Sequence, residues 1–339
     1  MSWAASKRIL KITAIATIVA GCATKDSDEI AGKSVDRASW SKLNEEVVSL
    51  YADGKYRQSL ELASDVLSLA NENFGPNDDD SITALNNLAA LQYSTGDFRS
   101  ALNNFEQSLE RRKSAHGVAD LETLRTSSNL GLIYMELVEY DLARPLLENS
   151  LNIGVETYGK RNEVSLLLLG NLSLLYRDMG ILADAKANFE SLVELRSLEN
   201  GPLDPRTLVA KSNLALVYQD LGLFSESELL NRSVLDDRIS VLGYDHPETL
   251  VSLINLTASL VEQKKIVDAE QILQEATENW LSEVLEKDHP WMLKLKVQRA
   301  QILELQSRWD EALELYSQVY AERLNRLGNE NRSTLQAIG

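Results

Sequence analysis

Between residues 41 and 328 apolar residues recur at steps of three and four, and glycines break the pattern at regular intervals. Residues 205–243 show one unit. Leu208, Leu214, Val217, Tyr218 and Leu221 fall on one face of an amphipathic helix. Gly222 stops that helix, because glycine accepts the left-handed conformation that closes one. A second helical pattern runs through Leu229, Leu230, Val234, Leu235, Ile239 and Leu242, and ends at Gly243. Asp245, His246 and Pro247 open the next unit: Asp or His caps, and proline suits a first turn where its missing N–H costs nothing. The pattern predicts an all-α chain of helix-turn-helix units, joined by loops of roughly six residues.

The unit returns every 42 residues. Asn87, Asn129, Asn171, Asn213 and Asn255 keep this step. So do Gly54, Gly96, Gly180 and Gly222, with Val138 and Lys264 in the two other places. A third series is small: Ser59, Ala101, Ala143, Ala185, Ser227 and Ala269. These residues are expected where the first helix of a unit (helix A) crosses the second (helix B). A larger side chain there would push the pair apart, at a cost of about 1–3 kcal/mol. Three series with one period define a tandem array, and arrays usually serve as surfaces that hold other proteins.

The pattern N-L-x-x-x-Y-x-x-x-G-x-[FYL]-x-x-A, seen in Asn171-Leu172, Tyr176, Gly180, Leu182 and Ala185, resembles the tetratricopeptide repeat. The long period and the segment D-H-P-E-T-L at 245–250 resemble its kinesin-light-chain type. The resemblance implies a right-handed superhelical solenoid over residues 41–328, with seven units starting near residues 41, 82, 122, 164, 205, 247 and 290. The seventh is atypical: Gln298 stands in the Asn place and Ser307 in the Gly place, while Trp309 and Ala312 hold the register. Residues 329–339 read as a tail or as the start of an incomplete repeat, since Ser333-Thr334-Leu335 parallels Glu248-Thr249-Leu250. Ends of repeat arrays need polar caps. Either this segment or a partner is expected to cover the last helix pair.

The N-terminus differs in kind. Lys7, Arg8 and Lys11 precede an apolar run from Ile12 to Ala20, too short to span a bilayer and of the right length for a signal-peptide core. Val19-Ala20-Gly21-Cys22 resembles the lipobox of bacterial lipoproteins. The resemblance implies a signal peptide over 1–21, cleavage before Cys22 and lipid on that residue, which is the chain's single cysteine. An uncleaved anchor or a cryptic apolar stretch are the alternatives. Residues 22–40 then form a lipidated cysteine and a flexible tether, of which sixteen polar residues extend to at most about 55 Å. Ala23 and Thr24 replace the Asp that retains enteric lipoproteins in the inner membrane. The expected location is the cell envelope, on the outer membrane facing the periplasm.

Charge narrows the partners. The net charge is −17, and loss of the signal peptide takes it to −20. That opposes nucleic acid and anionic lipid as ligands, and favours basic proteins or peptides. Seven residues after each repeating Asn comes Ser94, Glu136, Asp178, Asp220 or Glu262, two turns on along the same helix face. The resemblance implies that helix A lines a concave groove, in which the Asn ladder grips the backbone of an extended peptide. A carboxamide both donates and accepts, so it reads any peptide bond. The alternatives are that Asn caps or cross-links neighbouring A helices, and that the acids are solvated helix ends.

Other features carry less. His116, His246 and His289 fall at inter-repeat loops and suit capping better than metal binding. Asn77 to Asp80 reads as a capping loop ahead of Ser81, since it lacks the glycine and distal Glu of a calcium loop. Pro145 should bend its helix. No phosphate loop, nucleophile elbow or zinc motif is present in the sequence, so no enzyme activity, cofactor or metal is expected. The expected function is a membrane-anchored scaffold binding protein or peptide. The alternative is a structural subunit that assembles through the open C-terminal end.

Overall fold

The computed structural model describes residues 35–53, 55–244, 246–276 and 290–327. The signal peptide, Cys22, Gly54, Asp245, His289 and the tail 329–339 lie outside the described residues. Every regular element among the described residues is a helix. They alternate between A helices, α1 (Arg37–Ala52), α3 (Asp79–Thr95), α5 (Leu121–Glu136), α7 (Glu163–Asp178), α9 (Pro205–Asp220), α11 (Pro247–Glu262) and α13 (Pro290–Leu305), and B helices. The B helices are α2 (Tyr56–Phe74), α4 (Phe98–His116), α6 (Tyr140–Tyr158), α8 (Leu182–Asn200), α10 (Phe224–Leu242), α12 (Ile266–Ala276) and α14 (Trp309–Leu327). The chain forms two compact units, Met1–Asn188 and Phe189–Gly339.

The first helix begins earlier than the periodicity suggests. Asp36 accepts a hydrogen bond from Ser39 N at 2.8 Å and caps α1. Trp40 is buried, and its Nε1 donates to Val66 O at 3.1 Å. Residues 37–40, expected in the tether, therefore belong to the first repeat.

The loops are also tighter than expected: only residues 117–120 separate α4 from α5. Asp78, Asp120, Asn162, Asp204 and His246 are the N-caps, each accepting a backbone N–H two or three residues on. The cap of α3 is thus Asp78, and Ser81 lies inside the helix, where it is buried. His246 caps α11, whereas His116 ends α4 and meets Asp79 Oδ1 at 2.5 Å, so the two are not equivalent. Pro145 lies inside α6, which continues through it.

The A helices from α3 to α13 end in the same hydrogen-bond pattern. Glu139 N donates to Tyr134 O and Val138 N to Met135 O, and the pairs recur at residues 96–97, 180–181, 222–223, 264–265 and 307–308. This closure needs a left-handed residue. Glycine provides it at Gly96, Gly180 and Gly222, and Val138, Lys264 and Ser307 adopt it at φ 63°, 60° and 61°.

The small-residue series is where the helix pairs meet. Ser59, Ala101, Ala143, Ala185, Ser227 and Ala269 are fully buried. Ser59 Oγ donates across the pair to Val47 O at 2.7 Å. In the third repeat the approach is closer still: a Cβ on Gly131 would lie 2.5 Å from Leu147 Cδ2.

Candidate functional site

The repeating asparagines lie midway along α3, α5, α7, α9 and α11. Asn87, Asn171, Asn213 and Asn255 are buried and Asn129 is half-buried. Two of them bind within the array. Asn87 Nδ2 donates to Asn44 Oδ1 at 3.0 Å, tying α3 to α1. Asn171 Nδ2 donates to Ser128 Oγ at 2.7 Å, tying α7 to α5. Each bond spans 43 residues, one more than the period, so the acceptor is the residue just before the preceding repeat's own Asn place.

The members in the second unit differ. Asn213 Oδ1 and Asn255 Nδ2 are buried without a hydrogen-bond partner, and so is Ser212 Oγ. Leaving such an atom unmet costs about 1–3 kcal/mol. The ladder is therefore divided: Asn87 and Asn171 hold repeats together, while Asn213 and Asn255 keep unused bonding capacity.

The acidic series sits at the C-terminal ends of the same helices. Glu136, Asp178 and Asp220 are half-buried and Glu262 is exposed. The 43-residue relation recurs here. Tyr93 Oη donates to Glu136 Oε1 at 3.4 Å, and Tyr51 Oη lies 3.0 Å from Ser94 Oγ. Burial, reinforced by the Glu136 charge, pushes the Tyr93 hydroxyl well above its ordinary pKa, so it stays a donor. Glu262 also borders a shallow cleft of about 460 Å³ with Phe224, Glu226, Gln263 and Lys264.

A further ladder escaped the reading of the sequence. Tyr134, Tyr176 and Tyr218 donate to Glu106, Glu148 and Glu190 at 2.9, 2.7 and 3.1 Å. Each Tyr is on helix A and each Glu on helix B of the repeat before. Both series keep the 42-residue step, which is the signal that would have found them. Among the described residues, no group of His, Cys, Asp and Glu stands where it could hold a metal ion, and no helix is long and apolar enough to cross a membrane.

The capped A helices, the left-handed closures and the buried small residues recur together at one period, and the family model described as tetratricopeptide repeat matches residues 43–114, 122–198 and 206–282. The chain belongs to the tetratricopeptide repeat family. Similar solved structures include the nearly identical tetratricopeptide-like repeats of a putative kinesin light chain from Podosopora anserina, at 22% identity and TM-score 0.55, covering 62% of this chain and 99% of that one. The apo quorum sensor NprR from B. thuringiensis aligns at 16% identity and TM-score 0.63, over 83% of this chain and 75% of its own. A Rap protein complexed with competence and sporulation factor aligns at 11% identity and TM-score 0.52, over 87% of this chain and 94% of its own. At these identities the likeness is one of fold. No protein of curated function matches the tetratricopeptide chain in sequence.

Proposed function

We propose that this tetratricopeptide protein is a lipid-anchored adaptor of the bacterial cell envelope, facing the periplasm from the outer membrane. It binds protein or extended peptide along a groove lined by its A helices. Tetratricopeptide proteins are generally protein-interaction scaffolds and mostly non-enzymatic. The observation that carries the reading is the unmet amide chemistry of Asn213 and Asn255. A peptide backbone offers both the donor and the acceptor that these side chains lack, and it reaches these buried atoms once the amides turn toward the groove. Asp220 and Glu262, two turns further along α9 and α11, favour a basic chain beside them. The Rap protein solved with competence and sporulation factor is a relative in fold that holds a ligand. The anchor rests on the sequence around Cys22. More than one acyl chain on that residue would hold the protein stably, at roughly 0.8 kcal/mol per buried CH2.

The test is a crosslinking pull-down from intact membranes with wild type, Cys22→Ala and Asn213→Ala/Asn255→Ala. The reading predicts that membrane attachment is lost only in the first variant and a defined partner only in the second. Unchanged attachment in Cys22→Ala would remove the anchor, and an unchanged partner in the Asn variant would remove the groove.

A further inference from the structure

Gln298 adds a third rung to the ladder that Asn213 and Asn255 begin. It stands in the Asn place of the seventh repeat, and its Nε2 donates to Ile254 O at 2.7 Å. Ile254 is the residue just before the preceding repeat's Asn, the relation already seen for Asn87 and Asn171. One arm of the amide thus ties α13 to α11. The other arm, Oε1, is buried with no hydrogen-bond partner. Asn213, Asn255 and Gln298 are 6%, 8% and 8% exposed, and each keeps one unmet polar atom. A ligand reaches these atoms once the amides turn toward the groove. All three belong to the second compact unit, in which α11 touches both α9 and α13.

The spacing of the rungs selects a backbone conformation. Packed helices lie about 8–10 Å apart, so a chain that meets all three rungs must present a free polar group at about that interval. An α-helix presents none along its middle, because its backbone is bonded internally. A β-strand returns the same face every second residue, at about 6.8 Å. A polyproline II helix has three residues per turn and rises about 3.1 Å per residue, so its face returns at about 9.3 Å, and its backbone makes no internal hydrogen bonds.

The surroundings of the rungs agree. Val209, Val251, Ile254 and Val297 are half-buried on the same helices, four residues or one residue before the amides, and offer an aliphatic wall to pyrrolidine rings. The same places in the second and third repeats hold Thr83, Asn86, Arg125 and Ser128. The unmet atoms also limit where proline can stand. Asn213 Oδ1 and Gln298 Oε1 accept, so the ligand needs an N–H at each, and proline has none. Asn255 Nδ2, between them, takes a carbonyl oxygen. The net charge of −17 favours a cationic chain. Resting on the groove reading above, we propose that the ligand is a basic, proline-rich segment in the polyproline II conformation, with a residue other than proline facing the ladder at every third position.

Three labelled peptides of equal length and charge test it by fluorescence anisotropy with the full chain. One has four Lys-Pro-Pro repeats. The second has the same composition as four lysines followed by eight prolines, and the third has four Lys-Gly-Ser repeats. The first should bind about ten-fold more tightly than either of the others. Gln298→Leu should weaken it by about five-fold with the circular dichroism unchanged. Equal binding of the first and second peptides overturns the three-residue spacing, and full binding by Gln298→Leu overturns the third rung. Equal binding of the first and third, both weakened by Asn213→Ala/Asn255→Ala, would keep the groove and overturn the polyproline conformation. Binding of none of the three overturns the proposal, while a partner lost by that double variant in the membrane pull-down would still keep the groove.

Discussion

Asn171 Nδ2 donates to Ser128 Oγ at 2.7 Å, while Asn255 and Ser212, the same residue pair at the same 43-residue spacing, leave Asn255 Nδ2 and Ser212 Oγ both without partners. One pair is structural and the other is unmet. Asn171→Ala would orphan the fully buried Ser128 hydroxyl, at a cost of about 1–3 kcal/mol. Asn255→Ala removes an amide whose donor is already unsatisfied, so its cost should be smaller. Urea unfolding of the two variants checks the difference.

The tyrosine ladder makes stability fall at high pH. Burial, then the hydrogen bond to Glu148, pushes the Tyr176 hydroxyl up to about 12, and burial with Glu190 does the same for Tyr218. The folded state holds these protons more tightly than the unfolded chain. Their contribution is therefore complete below the ordinary tyrosine value of 10.0 and is lost as pH rises from there to about 12. Urea midpoints measured through this window should drop for wild type, and the drop should flatten in Tyr176→Phe/Tyr218→Phe.

Val138 pays a backbone cost that glycine would not. It is β-branched, 57% exposed and held at φ 63°. A left-handed L-residue costs roughly 1–2 kcal/mol, and little packing is lost by removing the side chain. Val138→Gly is expected to raise the melting temperature. A decrease would show that the valine makes a contact worth more than its strain.

Gly131 gives the opposite case. Alanine is the better helix former by about 1 kcal/mol. Its Cβ would nevertheless stand 2.5 Å from Leu147 Cδ2 and 2.7 Å from Cγ, and Leu147 is fully buried. Overpacking of about 1–3 kcal/mol should win, so Gly131→Ala is expected to destabilise in a thermal melt.

Much of the fold was legible because each repeat is built from local signals. Gly222 and the turn it closes, Ala101 and the helix crossing, and Pro247 at the start of α11 all act within a few residues of their own position. The start of α1 was missed because its evidence is a single cap, Asp36, ahead of a segment with one buried anchor, Trp40. The division of the Asn ladder was not legible. The asparagines keep a strict period, but their partners lie in another repeat, in a position that drifts from Asn44 and Asn86 through Ser128 and Gly170 to Ser212. Whether an amide is satisfied depends on that second residue and on how two helices stack, which no window on one repeat contains.

The most direct measurement sets two double variants against each other: Asn213→Ala/Asn255→Ala and Asn87→Ala/Asn171→Ala, each with its urea stability and its crosslinked partner from intact membranes. The account predicts that the first keeps its stability and loses the partner, while the second loses stability and, where folded, keeps the partner. Retention of the partner by the first variant would contradict the claim that the unmet asparagines bind it.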